Sequence, residues 1–211
     1  MSQFNFNPFI NAIFLITLLS SLTSLSFAQE SQASVEPSLK QETKQETKQA
    51  AGWWSQGKTK TLDILDKGEL SLMLSGYARH GRHTYTAQRI SELNELAWGL
   101  GFSKAIRDEK DNEEFIYGLA ISDSHFKPQL MAGYAYQWMK PLGGQYEAGL
   151  GVTGLLFSRT DYFGGIPFPG VVPVMSIGTR SAKLMGAYIP RISRNKGNGD
   201  VLLMFVRFEL N

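Results

Sequence analysis

Two short stretches of the chain carry side chains suited to acid–base chemistry. One is His80-Gly-Arg82-His83-Thr-Tyr85 and the other is Asp123-Ser124-His125. Histidine can act as a general base near neutral pH, and a serine beside it as a nucleophile or hydrogen-bond donor in acyl transfer. Asp and Ser are also ordinary turn formers, so the second stretch has a plain structural reading as well. Adjacent strand residues point to opposite faces, so Asp123 and Ser124 can both meet a substrate only where the backbone leaves strand geometry. A linear Ser-His-Asp relay is therefore not expected, and a looser arrangement is. No HExxH, CxxC or P-loop pattern occurs, which leaves metal and nucleotide chemistry unsupported.

The elements that must hold these residues are short segments that alternate in polarity or are apolar on both faces. Eight strands are expected: 70–79, 98–106, 115–122, 129–139, 146–157, 171–178, 182–190 and 201–210. Most approach the ~9–11 residues that a tilted strand needs to cross a bilayer. Long connections (80–97, 158–170, 191–200) contrast with short ones (140–145, 179–181), while 107–114 is of middling length and 123–128 breaks the pattern by being short. Outer-membrane barrels have long external loops and short periplasmic turns. The fold class is all-β, an eight-stranded antiparallel outer-membrane barrel. With an even strand count, odd-numbered strands run outward. His80 and Asp123-Ser124 then fall on one external rim.

Sorting faces describes the interior. Leu130, Ala132, Tyr134, Tyr136 and Trp138 share the lipid side of the fourth strand, ending in an aromatic girdle. Met131, Gly133, Ala135 and Gln137 face inward. In the last strand Val201, Leu203, Phe205, Arg207 and Glu209 face inward. The lumen is thus apolar in its outer half and polar in its inner half, with Gly99 and Gly101 removing bulk. A blind apolar slot above a plug of Arg207, Glu209 and Gln137 is one reading. A packed structural core is the other, since an eight-stranded barrel normally fills with its own side chains.

Composition sets further bounds. The 211 residues carry a formal charge of +2, which gives no sign of nucleic acid, and no cysteine. Without disulfides, barrel closure supplies stability by pairing backbone groups between strands. Residues 1–28 read as a cleaved secretory signal, with an apolar run from Ile10 and a Ser26-Phe27-Ala28 cleavage site. Residues 29–51, with the repeat Lys-Gln-Glu-Thr, read as a polar low-complexity linker. Residues 52–68 read as an amphipathic interfacial helix bearing Trp54, Leu62 and Leu65, and 69–211 as the barrel.

The order and spacing of several stretches resemble the lipid A palmitoyltransferase family, PagP. They are His80-x-Arg82-x-x-Tyr85, Asn94-Glu95-x-x-Trp98-Gly99-x-Gly101-Phe102, Asp123-Ser124, Ala132-Gly133-Tyr134, Gly149-Leu150-Gly151, Ile166-Pro-x-Pro169-x-x-x-Pro173, Tyr188-Ile-Pro190, Asn198-Gly199 and Arg207-Phe208. The resemblance implies an outer-membrane acyltransferase independent of coenzyme A and of any cofactor. It would move a palmitoyl chain from the sn-1 position of a phospholipid donor to lipid A as acceptor, promoting resistance to cationic antimicrobial peptides. It would act as a monomer or homodimer, with no nucleic acid and no metal involved. His80, Asp123 and Ser124 fall on the family's catalytic positions: His80 as base, Asp123 as its orienting partner, Ser124 as nucleophile or oxyanion donor. Arg82, Tyr85, Gly133, Ala135, Pro173 and Pro190 fall on substrate-binding positions, with Arg82 set to bind phosphate or to pair with a loop acid.

Departures matter as much. Ala135 replaces the glycine at the floor of the family's acyl slot, which implies a chain shorter by about one carbon. Family prolines interrupt strand pairing at two places. One pair is kept as Pro173 and Pro190. The other, placed near the second and third strands, is replaced by Ser75 and Ala97. A non-enzymatic barrel for adhesion or envelope structure is the alternative, and a periplasmic lipid carrier a third reading.

Overall fold

The computed structural model describes residues 52, 55–159, 163–191 and 199–210. The expected signal, the linker, Trp53, Trp54 and Asn198 lie outside the described residues. Eight antiparallel strands close in chain order: β1 (Glu69–His80), β2 (Gly99–Arg107), β3 (Glu113–Ser122), β4 (Pro128–Gly143), β5 (Tyr146–Arg159), β6 (Phe168–Thr179), β7 (Ala182–Ile189) and β8 (Val201–Glu209). β1 meets β8 from Ser71 opposite Glu209 to His80 opposite Val201. Closure removes the sheet edges that lipid could not hydrogen-bond. A helix, α1, covers residues 55–67. The chain divides into two compact units, Met1–Asp63 and Ile64–Asn211. In the second, Lys104 Nζ donates to the Leu65 carbonyl at 2.5 Å and Ile64 is fully buried.

Alternation sorts the side chains as the polarity pattern requires. Leu100, Leu130, Leu150, Ile177 and Leu184 are at least half exposed on the outer face, while Met73, Met131, Leu203 and Phe205 are buried inside. The aromatic belt differs from a bare girdle. Tyr134 donates to Glu114 Oε2 at 2.7 Å and Tyr136 to Asp108 Oδ2 at 2.9 Å. Glu114 stands in the outward register of β3 but is buried, and a buried carboxylate needs a donor.

One end of the lumen is closed by charge. Glu113 Oε2 accepts Lys183 Nζ at 2.8 Å and Arg207 Nη2 at 2.7 Å. Lys183 also reaches Glu147 at 2.6 Å, and Arg107 pairs with both Glu147 and Glu113. Just above, Gln137 accepts from Ser176 at 3.1 Å. Of the expected plug, Arg207 is central and Gln137 adjoins it, whereas Glu209 is only half-buried at the barrel end. Glu113 and Lys183 hold the centre instead, because a buried guanidinium requires a buried acid at hydrogen-bond range.

Candidate active site

The site lies at the opposite end from the plug. Along β8 the inward residues run from Val201, opposite His80, through Leu203 and Phe205 to Arg207. How His80 comes to face inward is not given by simple alternation. Ser71, Met73 and Ser75 are the inward residues of β1, so an even-numbered residue should face lipid. The register against β8 shifts between Ser75 and Tyr77. A bulge there inserts one residue, Gly76, and exchanges the faces. Ala78 and His80 are then buried, His80 to 1 % exposure.

Beyond β1 the chain is tied down at once. Gly81 N donates to the Asp200 carbonyl at 2.9 Å. A Cβ at position 81 would lie 2.0 Å from Asp200 Oδ1, so any other residue must displace that carboxylate from Thr84. Thr84 Oγ1 donates to Asp200 Oδ1, and this bond holds the Asp200 carboxyl below its ordinary pKa. Tyr85 presents its ring edge-on to His80, with centroids 5.2 Å apart. A five-residue helix, α2 (Ala87–Ser91), capped by Thr86, turns the chain back toward the rim.

That return brings Asn94 and Glu95 into the site. Asn94 Nδ2 donates to the Leu96 carbonyl, Ser122 Oγ and the Asp123 carbonyl at 3.0 to 3.2 Å, and its N–H to the Ser124 carbonyl at 2.9 Å. Asn94 thus fastens the β1–β2 connection to the turn after β3. In that turn Asp123 Oδ1 accepts the N–H groups of His125 and Lys127, each at 2.8 Å. The turn takes the backbone out of strand geometry, and Ser124 swings over the lumen. Its Oγ lies 3.1 Å from His80 Nε2.

At the other ring nitrogen stands Glu95. Its Oε1 is 3.3 Å from His80 Nδ1 and accepts the His80 backbone N–H at 2.9 Å. Arg82 grips the same carboxylate with two hydrogen bonds, at 2.6 and 2.8 Å, and Tyr77 donates to it at 3.0 Å. The Arg82 hydrogen bonds, against a smaller burial penalty, hold Glu95 far below the usual carboxylate range. His80 N–H and Tyr77 add to the effect. The Glu95 hydrogen bond reciprocally raises the already high pKa of Arg82. The order Ser124–His80–Glu95 is therefore linear, where a looser arrangement was expected. The carboxylate bonded to Nδ1 is Glu95, while Asp123 uses Oδ1 to shape the turn. Glu95 stood in the quoted stretch Asn94-Glu95-x-x-Trp98, but nothing in its spacing from His80 marked it.

Between rim and plug lies a narrow slot whose lining is almost wholly apolar. Met73, Phe115, Tyr117 and Thr153 line its deep part, and Ile189 and Leu203 its upper part. Tyr117 and Thr153 join hydroxyls at 3.0 Å across the wall. Gly133 is needed by the close approach of the neighbouring strand as well as by this pair, since a Cβ there would lie 2.7 Å from the Gly154 carbonyl oxygen and 2.8 Å from the Tyr117 hydroxyl. Ala135 is fully buried, paired between Phe115 and Thr153.

Two seams of the wall are incomplete toward the rim. The β6–β7 ladder covers Val174–Gly178 and stops at Pro173, although β6 stays paired with β5 as far as Phe168. Pro190 follows the last residue of β7. The β1–β2 ladder stops at Ser75 opposite Gly99. Ser75 and Ala97 therefore belong to the β1–β2 seam, not to the second and third strands. Pairing ends there without proline because the bulge turns β1 away.

Fold, exposed apolar band and slot together define a small outer-membrane β-barrel built around a narrow apolar slot. The sequence profile described as "Antimicrobial peptide resistance and lipid A acylation protein PagP" matches residues 60–207, and the chain belongs to this family. "Lipid A acyltransferase PagP" of Bordetella pertussis strain CS is 41% identical over 161 residues, covering 75% of this chain and 87% of that one. The protein of the same name from Legionella longbeachae is 44% identical over 141 residues, 66% of this chain and 60% of that one. That of Methylobacillus flagellatus is 33% identical over 155 residues, 74% and 83%.

Proposed function

We propose that the chain is a lipid A acyltransferase that takes a palmitoyl or slightly shorter chain from the sn-1 position of a glycerophospholipid. The observation that carries this reading is the 3.1 Å approach of His80 Nε2 to Ser124 Oγ at the open end of an apolar slot. Family membership supplies lipid A as the acceptor. His80 draws the proton from the Ser124 hydroxyl as its oxygen attacks the donor ester. The lysophospholipid oxygen leaves with that proton. A lipid A hydroxyl, losing its proton to His80, then attacks the acyl–Ser124 ester, and the Ser124 oxygen leaves with the proton returned by His80. Both the bond broken and the bond formed are oxygen esters, so no activated thioester is required. Asp123 holds the turn that presents Ser124. Arg82 and Tyr85 meet the lipid head groups at the rim. The slot over Gly133 and Ala135 measures the chain, and the seams at Pro173 and Pro190 and at Ser75 admit lipid sideways. Strand parity supports a rim that faces the cell exterior.

Mass spectrometry of lipid A from cells expressing the wild type, His80→Ala and Ser124→Ala tests the reading. Added acyl mass is expected with the wild type and a loss of about 10³-fold or more in each variant. No added mass with the wild type refutes the function, and full transfer by both variants refutes the site.

A further inference from the structure

We infer that Glu95 is the positioning carboxylate of the acyl-transfer site, holding His80 in the tautomer and orientation that make Nε2 a base toward Ser124. The inference rests on the acyltransferase reading and adds to it a residue with no role assigned above.

Four features carry it. First, Glu95 Oε1 faces Nδ1 at 3.3 Å while Nε2 faces Ser124 Oγ at 3.1 Å, on opposite sides of one ring. An acceptor at Nδ1 places the proton there and leaves the Nε2 lone pair for the serine hydroxyl. Second, the same oxygen accepts the His80 backbone N–H at 2.9 Å, so ring and main chain are held by one group. Third, Arg82 and Tyr77 lock both carboxylate oxygens from outside, which keeps Glu95 ionised and fixes its rotamer. Fourth, Asn94 ties the backbone next to Glu95 to the Asp123-Ser124 turn. Base, orienting acid and serine are thereby set by one loop junction.

The charge balance gives the effect a sign. When His80 takes the hydroxyl proton it becomes an imidazolium, which the Glu95 carboxylate stabilises. An adjacent carboxylate favours the charged ring over the neutral one. Other groups bear on the ring. Tyr77 and Arg82 come from its own strand and the following loop, Tyr85 stands edge-on, Asp123 belongs to the turn after β3, and Asp200 precedes β8. Arg82 opposes the Glu95 charge and moderates it. Asp123 is 4 % exposed and uses Oδ1 on the turn, and Asp200 is bonded to Thr84.

The test is the pH profile of acyl transfer by the refolded full barrel in detergent, with phospholipid and lipid A as substrates. Wild type, Glu95→Gln, Glu95→Asp and Asp123→Asn are compared per folded molecule, with folding read by far-UV circular dichroism. Glu95→Gln is expected to lower kcat by about 10- to 100-fold with little change in KM, and to move the acid limb of kcat/KM to lower pH. Glu95→Asp is expected to restore the wild-type limb while recovering part of the rate. The inference is overturned if Glu95→Gln keeps the wild-type rate and limb, or if Asp123→Asn alone moves the limb. A mere loss of folded barrel in Glu95→Gln, with an unmoved limb in the remainder, overturns it equally. A wild type that transfers no acyl group sinks the acyltransferase reading itself, a distinct outcome.

Discussion

The two ends of the barrel each centre on a glutamate gripped by an arginine, and they use it differently. At the plug, Glu113 is 2 % exposed and meets Lys183, Arg207 and Arg107. At the rim, Glu95 meets one half-exposed arginine and turns its remaining valence to a histidine. Several buried cations around one acid lock a structure, since loss of any partner strands a charge in low dielectric. A single partly solvated ion pair contributes little to stability, and it leaves an imidazole whose other nitrogen is available to Ser124. Similar chemistry thus closes the lumen at one end and holds an imidazole against a serine at the other.

Breaking the plug should give the largest effect on stability. Lys183→Met leaves Glu113 and Glu147 short of a cation and is expected to cost about 3–5 kcal/mol, read from the denaturant midpoint of the refolded barrel. Transfer per folded molecule should stay near wild type. A variant as stable as the wild type would mean that the cluster is not the lock described. Removing Glu113 together with Lys183, as Glu113→Gln/Lys183→Met, should recover part of the loss, because no charge is then left alone.

Between the two ends, Ala135 lies fully buried beside Phe115 and Thr153 of the slot wall and is expected to set the depth of the slot. Replacing it with glycine removes one methyl from the wall and should lengthen the preferred acyl chain by about one carbon. Mass profiling of acylated lipid A measures this, and identical chain selectivity would show that Tyr117 and Thr153 set the depth instead. Gly133→Ala should lower the yield of folded barrel, because its Cβ meets the Gly154 carbonyl oxygen at 2.7 Å as well as the Tyr117 hydroxyl at 2.8 Å.

The smallest effect expected is the rim's contribution to acid stability. Glu95 titrates lower in the folded chain than in the unfolded one. Its stabilisation is therefore complete above the unfolded carboxylate value, about 4.3, and disappears as pH falls through the lower folded value. Wild type should exceed Glu95→Gln by less than about 1 kcal/mol at neutral pH, and the difference should shrink below pH 4 or so. A difference that grows toward acid would contradict the assignment.

Strand positions, barrel closure and the apolar-over-polar lumen were legible in the sequence, because a side-chain period of two reports which face meets lipid. The same pattern placed Met131, Ala135, Gln137, Leu203, Phe205 and Arg207 inside, where they are. Glu113 and Lys183 were missed because the expected third strand began two residues late and the short seventh strand was not sorted into faces. His80 and Ser124 were legible as residue types on one rim. Their contact was not: a bulge at Ser75–Tyr77 reverses the parity of β1, and a turn shaped by Asp123 and pinned by Asn94 aims the serine. Local pattern determines faces. Tertiary structure alone decided which carboxylate holds His80, because Glu95 reaches it through a loop of irregular backbone, where no period relates sequence distance to distance in space.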